Sequence, residues 1–188
     1  MGEVGRGRNS RKVAPRGPMD RNEIEGHLRQ VGQYLHEQGL TGEILLVGGA
    51  YMTLVLRQRE ATKDVDAYFA AQAEAIREAA ARVAREKGLP SDWLNDAVKG
   101  FLYAQPETTL WLECPGLRVY APHPSYIFAM KAVAGRPEDL RDLQALRDSL
   151  GLTSAAEALQ IITRYVPERL LTPRLQYLIE DLFDEVEP

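Results

Sequence analysis

The run Glu43-Ile44-Leu45-Leu46-Val47-Gly48-Gly49-Ala50, followed at residues 64–69 by Asp64-Val65-Asp66-Ala67-Tyr68-Phe69, decides the fold of this chain. Residues 43–47 hold four consecutive branched apolar side chains, the mark of a short buried strand. Gly48-Gly49 cuts that strand off, and Ala50-Tyr51-Met52-Thr53-Leu54-Val55-Leu56-Arg57 starts a helix at the glycine pair. Arg57 to Lys63 is a polar link. Residues 64–69 then alternate polar and apolar, which predicts a half-buried strand.

Elements can be placed outward from this centre. Upstream, Asp20 caps a helix whose apolar positions Ile24, Leu28, Val31 and Leu35 keep helical spacing, and Gly39 ends it. Downstream, the alanine-rich residues 70–87 form a helix on propensity alone, broken by Gly88 and Pro90. Ser91-Asp92 precedes a short helix at Trp93-Leu94-Asn95. Thr108–Glu113 and Leu117–Ala121 are two strands joined hairpin-like across Cys114-Pro115-Gly116. From Ser125 onward the pattern is helical, over about 125–134, 138–149, 154–165 and 173–185, with breaks at Gly135, Gly151 and Pro167. The fold class is therefore α+β, a small mixed sheet with a helical C-terminal half. Three parts are expected: a disordered basic tail at 1–19, an α/β core at 20–122, and a helical part at 123–188 packed on that core.

Composition bounds the function. A chain of 188 residues with 45% hydrophobic and 27% charged side chains has the size and core of one domain. No apolar run approaches the roughly 20 residues of a membrane span. The arginines near the start have no apolar stretch behind them, so a secretory signal is not expected. Cys114 is the single cysteine, which excludes an internal disulfide and a cysteine-cluster zinc site. A soluble cytoplasmic protein is expected. Arg6, Arg8, Arg11, Lys12 and Arg16 against Glu3 give residues 1–18 a charge of +4, so the overall −4 leaves −8 on residues 19–188. An acidic body argues against a surface built for duplex DNA.

The residues that carry chemistry lie around the central stretch. Asp64 and Asp66, at i and i+2 in a strand, present paired carboxylates on one face. Carboxylates that close repel each other unless a cation sits between them, and Mg²⁺ prefers such oxygen ligands and brings phosphates with it. Gly48-Gly49 lets backbone N–H groups approach a phosphate. Together they supply a phosphate cradle and a metal clamp, the requirements of nucleotidyl or phosphoryl transfer. Taken singly, an Asp-x-Asp pair also reads as a solvated strand edge and Gly-Gly as a plain turn. Lys131 is the single charged residue in Ser125–Gly135; such a lysine either snorkels to water or has an anion waiting. Asp139 and Asp142 share a helix face at i and i+3, where Arg136 and Arg141 also allow a salt-bridged surface. His27, His36 and His123 lack the spacing of a zinc site, and Ser125 and Cys114 have no His–Asp arrangement near them in sequence.

Val47-Gly48-Gly49-Ala50 with Arg59-Glu60-Ala61-Thr62-Lys63-Asp64-Val65-Asp66 resembles the signature of the DNA polymerase β-like nucleotidyltransferase superfamily. The likeness is greatest to the minimal nucleotidyltransferases of bacterial toxin–antitoxin and abortive-infection systems. Asp92-Trp93-Leu94-Asn95-Asp96, Leu117-Arg118-Val119-Tyr120 and the run Ala129 to Leu143 extend it over nearly everything from about residue 22 onward. The resemblance implies that Gly48 and Gly49 hold a nucleoside triphosphate and that Asp64 and Asp66 ligate Mg²⁺. It implies that Lys131 reaches a phosphate or a site carboxylate, with Asp139 and Asp142 positioning Lys131 or the metal. Two departures stand out: Gly49 replaces a serine common in relatives, and the loop between Gly49 and Asp64 is longer than usual. The superfamily adds a third carboxylate from a neighbouring strand, for which Glu113 is the acidic candidate, although it reads better as a solvent-facing strand residue. The expected function is transfer of an NMP from an NTP to a protein or RNA hydroxyl, with a cognate toxin or antitoxin as a possible partner. The alternative is a catalytically inactive nucleotide- or protein-binding module of the same fold.

Overall fold

A computed structural model describes residues 17–96 and 103–184. Residues 1–16 of the tail expected at 1–19, and the acidic residues Glu185 and Glu187, lie outside these. The chain opens with β1 (Met19–Asp20) and α1 (Arg21–Glu37), then β2 (Gly42–Leu46), α2 (Gly48–Leu54), β3 (Ala61–Thr62), β4 (Val65–Ala71) and α3 (Ala73–Lys87). It continues through β5 (Leu94–Asn95), β6 (Thr108–Cys114) and β7 (Leu117–Pro122) into α4 (Pro124–Ala134), α5 (Leu140–Leu150), α6 (Ala155–Tyr165) and α7 (Pro173–Asp184). The class is α+β, with the strand order β5-β4-β2-β7-β6 in one five-stranded sheet and β1-β3 as a separate pair.

The sheet is mixed because β2 sits in its middle between unlike neighbours: antiparallel to β4 and parallel to β7. Its alternation is plain on β4, where Val65, Ala67 and Phe69 are buried while Asp66, Tyr68 and Ala70 point to the other face. The buried face packs on α1 and α3 through Ile24, Leu28, Val31 and Leu35 and through Ile76, Ala80 and Val83. Each fully buried aliphatic side chain there is worth roughly 1.5–3 kcal/mol. A second core unites α4 to α7. Helix α2 belongs to both: Ala50 and Leu54, one helical turn apart, enter the sheet core, whereas Tyr51 and Met52 enter the helical one. The glycine pair at its start is thus held between two packed bodies.

Asp20 forms the expected N-cap, accepting the Glu23 N–H at 2.9 Å while Glu23 accepts the Asp20 N–H at 3.1 Å. Three expectations are corrected. Met19, assigned to the tail, is 3% exposed and pairs with Thr62. Trp93-Leu94-Asn95 is not a short helix: Val65 N–H donates to Trp93 O at 2.6 Å, which draws this segment into β5 alongside β4. The buried Trp93 indole anchors it by donating to Ala80 O at 3.0 Å. Finally, the polar link contains β3, so residues 61 and 62 are fixed by pairing rather than left as loop.

Candidate functional site

After β2 ends at Leu46, the Val47 N–H donates to Asp66 O at 3.0 Å and so locks the following turn to β4. Gly48 then adopts φ +60, the left-handed region that glycine enters without steric cost. A Cβ at this position would lie 2.5 Å from Asp66 Oδ2, so the Asp66 carboxylate occupies the space a side chain would take. At Gly49 a Cβ would meet Thr62 Oγ1 at 2.9 Å and Arg59 Nη1 at 3.5 Å. The first bond of α2 runs from Tyr51 N–H to Val47 O at 3.3 Å, which leaves the N–H groups of Gly48, Gly49 and Ala50 ahead of the helical ladder.

Asp64 lies in the turn between β3 and β4, where Thr62 Oγ1 donates to its backbone carbonyl at 3.2 Å. Partial burial of its carboxyl pushes its pKa up, and the charges of Asp66 and Asp92 add to that. The Asp64–Asp66 pair is thus a repelling pair of hard oxygen donors, with Asp92 as a further negative charge beside it. Asp92, quoted in the sequence analysis without a site role, is 28 positions from Asp64 and is delivered by the β4–β5 pairing, for which the sequence carries no signal. The same pairing sets Asn95 opposite Asp66.

Glu113 does not join this cluster. The register runs from Glu113 to Arg118 on β7, to Glu43 on β2, to Ala71 on β4. Ala71 is five residues beyond Asp66, roughly 17 Å along the strand, so Glu113 sits at the opposite end of the sheet. There it accepts from Arg118 Nε at 3.2 Å, and Arg118 Nη1 also reaches Glu43 at 3.3 Å. Among the described residues, no three His, Cys, Asp or Glu side chains converge to hold a metal ion.

Lys131, Asp139 and Asp142 come together in a buried cluster. Lys131 Nζ lies 2.6 Å from Asp139 Oδ1 and 2.6 Å from Asp142 Oδ2. Arg59, which the sequence reading quoted but gave no role, donates to the same Asp142 through Nε at 2.9 Å and Nη2 at 2.6 Å. A cleft of about 440 Å³ lined by Gln58, Arg59, Glu138, Arg141, Asp142 and Ala145 opens there. A groove of about 560 Å³ runs over the other face of the sheet, with Leu45, Tyr68 and Tyr120 among its lining residues. Tyr68 is two residues along β4 from Asp66, on the same face. Ser125, by contrast, serves α4: its N–H donates to His123 Nδ1 at 3.3 Å as the helix cap, and its Oγ lies 2.9 Å from the Tyr165 hydroxyl.

Residues 26–154 match the model of a protein family described as nucleotidyltransferase of unknown function (DUF6036). The matched stretch takes in Gly48, Gly49, Asp64, Asp66, Lys131, Asp139 and Asp142. No curated protein and no solved structure gives a match.

Proposed function

The chain belongs to this family of nucleotidyltransferases of unknown function, and from that premise we propose that it moves an NMP from an NTP to a hydroxyl of a protein or RNA acceptor, with Mg²⁺. The observation that carries the proposal is the seating of Asp66 against Gly48: one side chain, missing at residue 48, lets a carboxylate and a bare glycine backbone meet at a single point. Asp64 and Asp66 suit Mg²⁺ in donor chemistry, since that ion usually retains several waters and binds through one or two carboxylates plus substrate phosphates. When bound, it supplies charge neutralisation at the phosphate under attack.

The chain's own groups do the rest. The N–H groups of Gly48, Gly49 and Ala50 hold the phosphates, and the Val47–Asp66 backbone bond keeps that turn aligned with the carboxylates. With Gly49 in place of serine, the backbone takes over the bonds a hydroxyl would make. The acceptor hydroxyl oxygen forms the new bond to the α-phosphorus as its proton passes to solvent, the α–β bridging P–O bond breaks, and pyrophosphate leaves. The acceptor approaches over the groove that carries Tyr68, on the face of the sheet where Asp66 points. The acidic body favours neither acceptor class strongly. By analogy with minimal nucleotidyltransferases, the chain acts within a toxin–antitoxin pair.

A second reading, a nucleotide-binding module without turnover, is favoured by one observation: among the described residues no three His, Cys, Asp or Glu side chains converge to hold a metal ion. Calorimetric titration of the four NTPs with Mg²⁺ into the wild type and into Asp64→Ala/Asp66→Ala tests the site. Metal-dependent binding lost in the double variant is expected; absent or Mg²⁺-independent binding to the wild type refutes it. Pyrophosphate release in the presence of acceptor then separates enzyme from module.

A further inference from the structure

We infer that Arg59, rather than Lys131, is the side chain that meets the polyphosphate of the bound nucleotide, and that Lys131, Asp139 and Asp142 form the buried mount that aims it. This rests on the reading of Gly48-Gly49 as a triphosphate site.

The buried cluster decides between the two cations. The Lys131 side chain is 9% exposed and its ammonium is already held at 2.6 Å by both Asp139 and Asp142. For Lys131 to reach a phosphate, two buried ion pairs would have to break, leaving Asp139 uncompensated and Asp142 with Arg59 alone in a poorly solvated place. Arg59 is placed differently. Its side chain is 36% exposed while its partner Asp142 is 4% exposed, so the guanidinium sits at the mouth and its counterion sits inside. Nε and Nη2 bind the two oxygens of Asp142 in a fork that fixes the guanidinium plane.

That fork uses one edge of the group. The third nitrogen, Nη1, is the one that lies 3.5 Å from the Cβ position of Gly49. Nη1 is therefore placed beside the bare backbone where the phosphates would bind. Arginine suits a phosphate in this role because its donors are planar and fixed in direction. The order Asp139–Lys131–Asp142–Arg59 alternates in sign, so the cluster is neutral as a whole and Asp142 is shared by the two cations. Lys131 from α4 and Asp142 from α5 thereby set the direction of a residue 83 positions upstream of Asp142. Arg59 is the binding residue; Lys131, Asp139 and Asp142 are positioning residues.

The full chain with Mg²⁺ provides the test, by calorimetry with each NTP and with the matching nucleoside. Arg59→Gln is expected to weaken triphosphate binding about 10- to 100-fold, the loss of a charge-assisted hydrogen bond, and to leave nucleoside binding unchanged. Arg59→Lys, which keeps a cation against Asp142, is expected to fold normally and still lose the preference for triphosphate over nucleoside, because its single ammonium is held by the carboxylate. Triphosphate preference retained in both Arg59 variants overturns the inference, as does an equal loss of triphosphate and nucleoside binding in Arg59→Lys. A Lys131→Gln variant that folds and alone loses the preference returns the phosphate to Lys131. Failure of the wild type to bind any NTP overturns the underlying reading of the glycine turn, and this inference with it.

Discussion

Replacing Gly48 by alanine isolates the contact on which the site depends. Two costs are expected. The residue sits at φ +60, where an L side chain costs about 1–2 kcal/mol. The new Cβ would also lie 2.5 Å from Asp66 Oδ2 and 3.2 Å from its Cγ, an overlap that forces the carboxylate aside at a further cost of about 1–3 kcal/mol. Gly88→Ala separates these terms, because Gly88 has φ +66 and nothing within 4 Å of its Cβ position. Urea or thermal unfolding should show Gly88→Ala losing about 1 kcal/mol, roughly 2–4 °C, and Gly48→Ala about 3 kcal/mol, roughly 6–12 °C. Asp66→Ala removes the atoms that collide and leaves Asp66 Cβ at 3.1 Å, so the double variant Gly48→Ala/Asp66→Ala should recover about 1–2 kcal/mol against additivity. Mg²⁺-dependent nucleotide binding should fall in Gly48→Ala and persist in Gly88→Ala. Equal destabilisation by the two alanines, with no coupling to Asp66, would refute the claim that Gly48 exists to seat this carboxylate.

Two further expectations follow from other parts of the fold. Among the described residues the buried Tyr126 hydroxyl has no hydrogen-bond partner, and burial pushes its pKa up to about 12. Tyr126→Phe keeps the edge-on packing against Tyr165 and should stabilise the protein by roughly 1 kcal/mol in denaturant unfolding; a loss would show that the hydroxyl has a partner. At the start of α6, the Thr153 N–H at 2.8 Å and hydroxyl at 3.1 Å hold the Glu157 pKa below its ordinary 4.5. A depressed folded pKa gives stability that is present above the unfolded value and lost as pH falls through the folded one. Below about pH 4.5, Glu157→Gln should therefore flatten the acid limb of the unfolding midpoint; an unchanged limb would contradict the capping role.

Local pattern carried much of the architecture. Asp20 three residues before Glu23 is a capping box written in sequence, and it forms. The alternation at 64–69 and the apolar run at 43–47 became neighbouring antiparallel strands. Short-range physics governs all of these: a cap needs one side chain and one turn, and a half-buried strand needs period two. Where the partner was distant, the reading failed. Trp93-Leu94-Asn95 has the look of a helical fragment until Val65 supplies its N–H and the indole finds Ala80. Glu113 looked eligible because the sequence says it is on a strand but does not say toward which end of the sheet that strand points.

The sequence by itself determined most of the elements and placed a glycine turn ahead of two carboxylates two residues apart, because backbone propensity and side-chain periodicity act within a few residues. Only the tertiary structure decided which groups meet there. It carried Asp92 near Asp64 through β5, removed Glu113 to the far end, and turned Lys131 inward onto Asp139 and Asp142. It also brought Arg59 against Asp142. Ion pairing between residues 83 apart depends on how two cores pack around α2, and no local stretch of the chain encodes that distance.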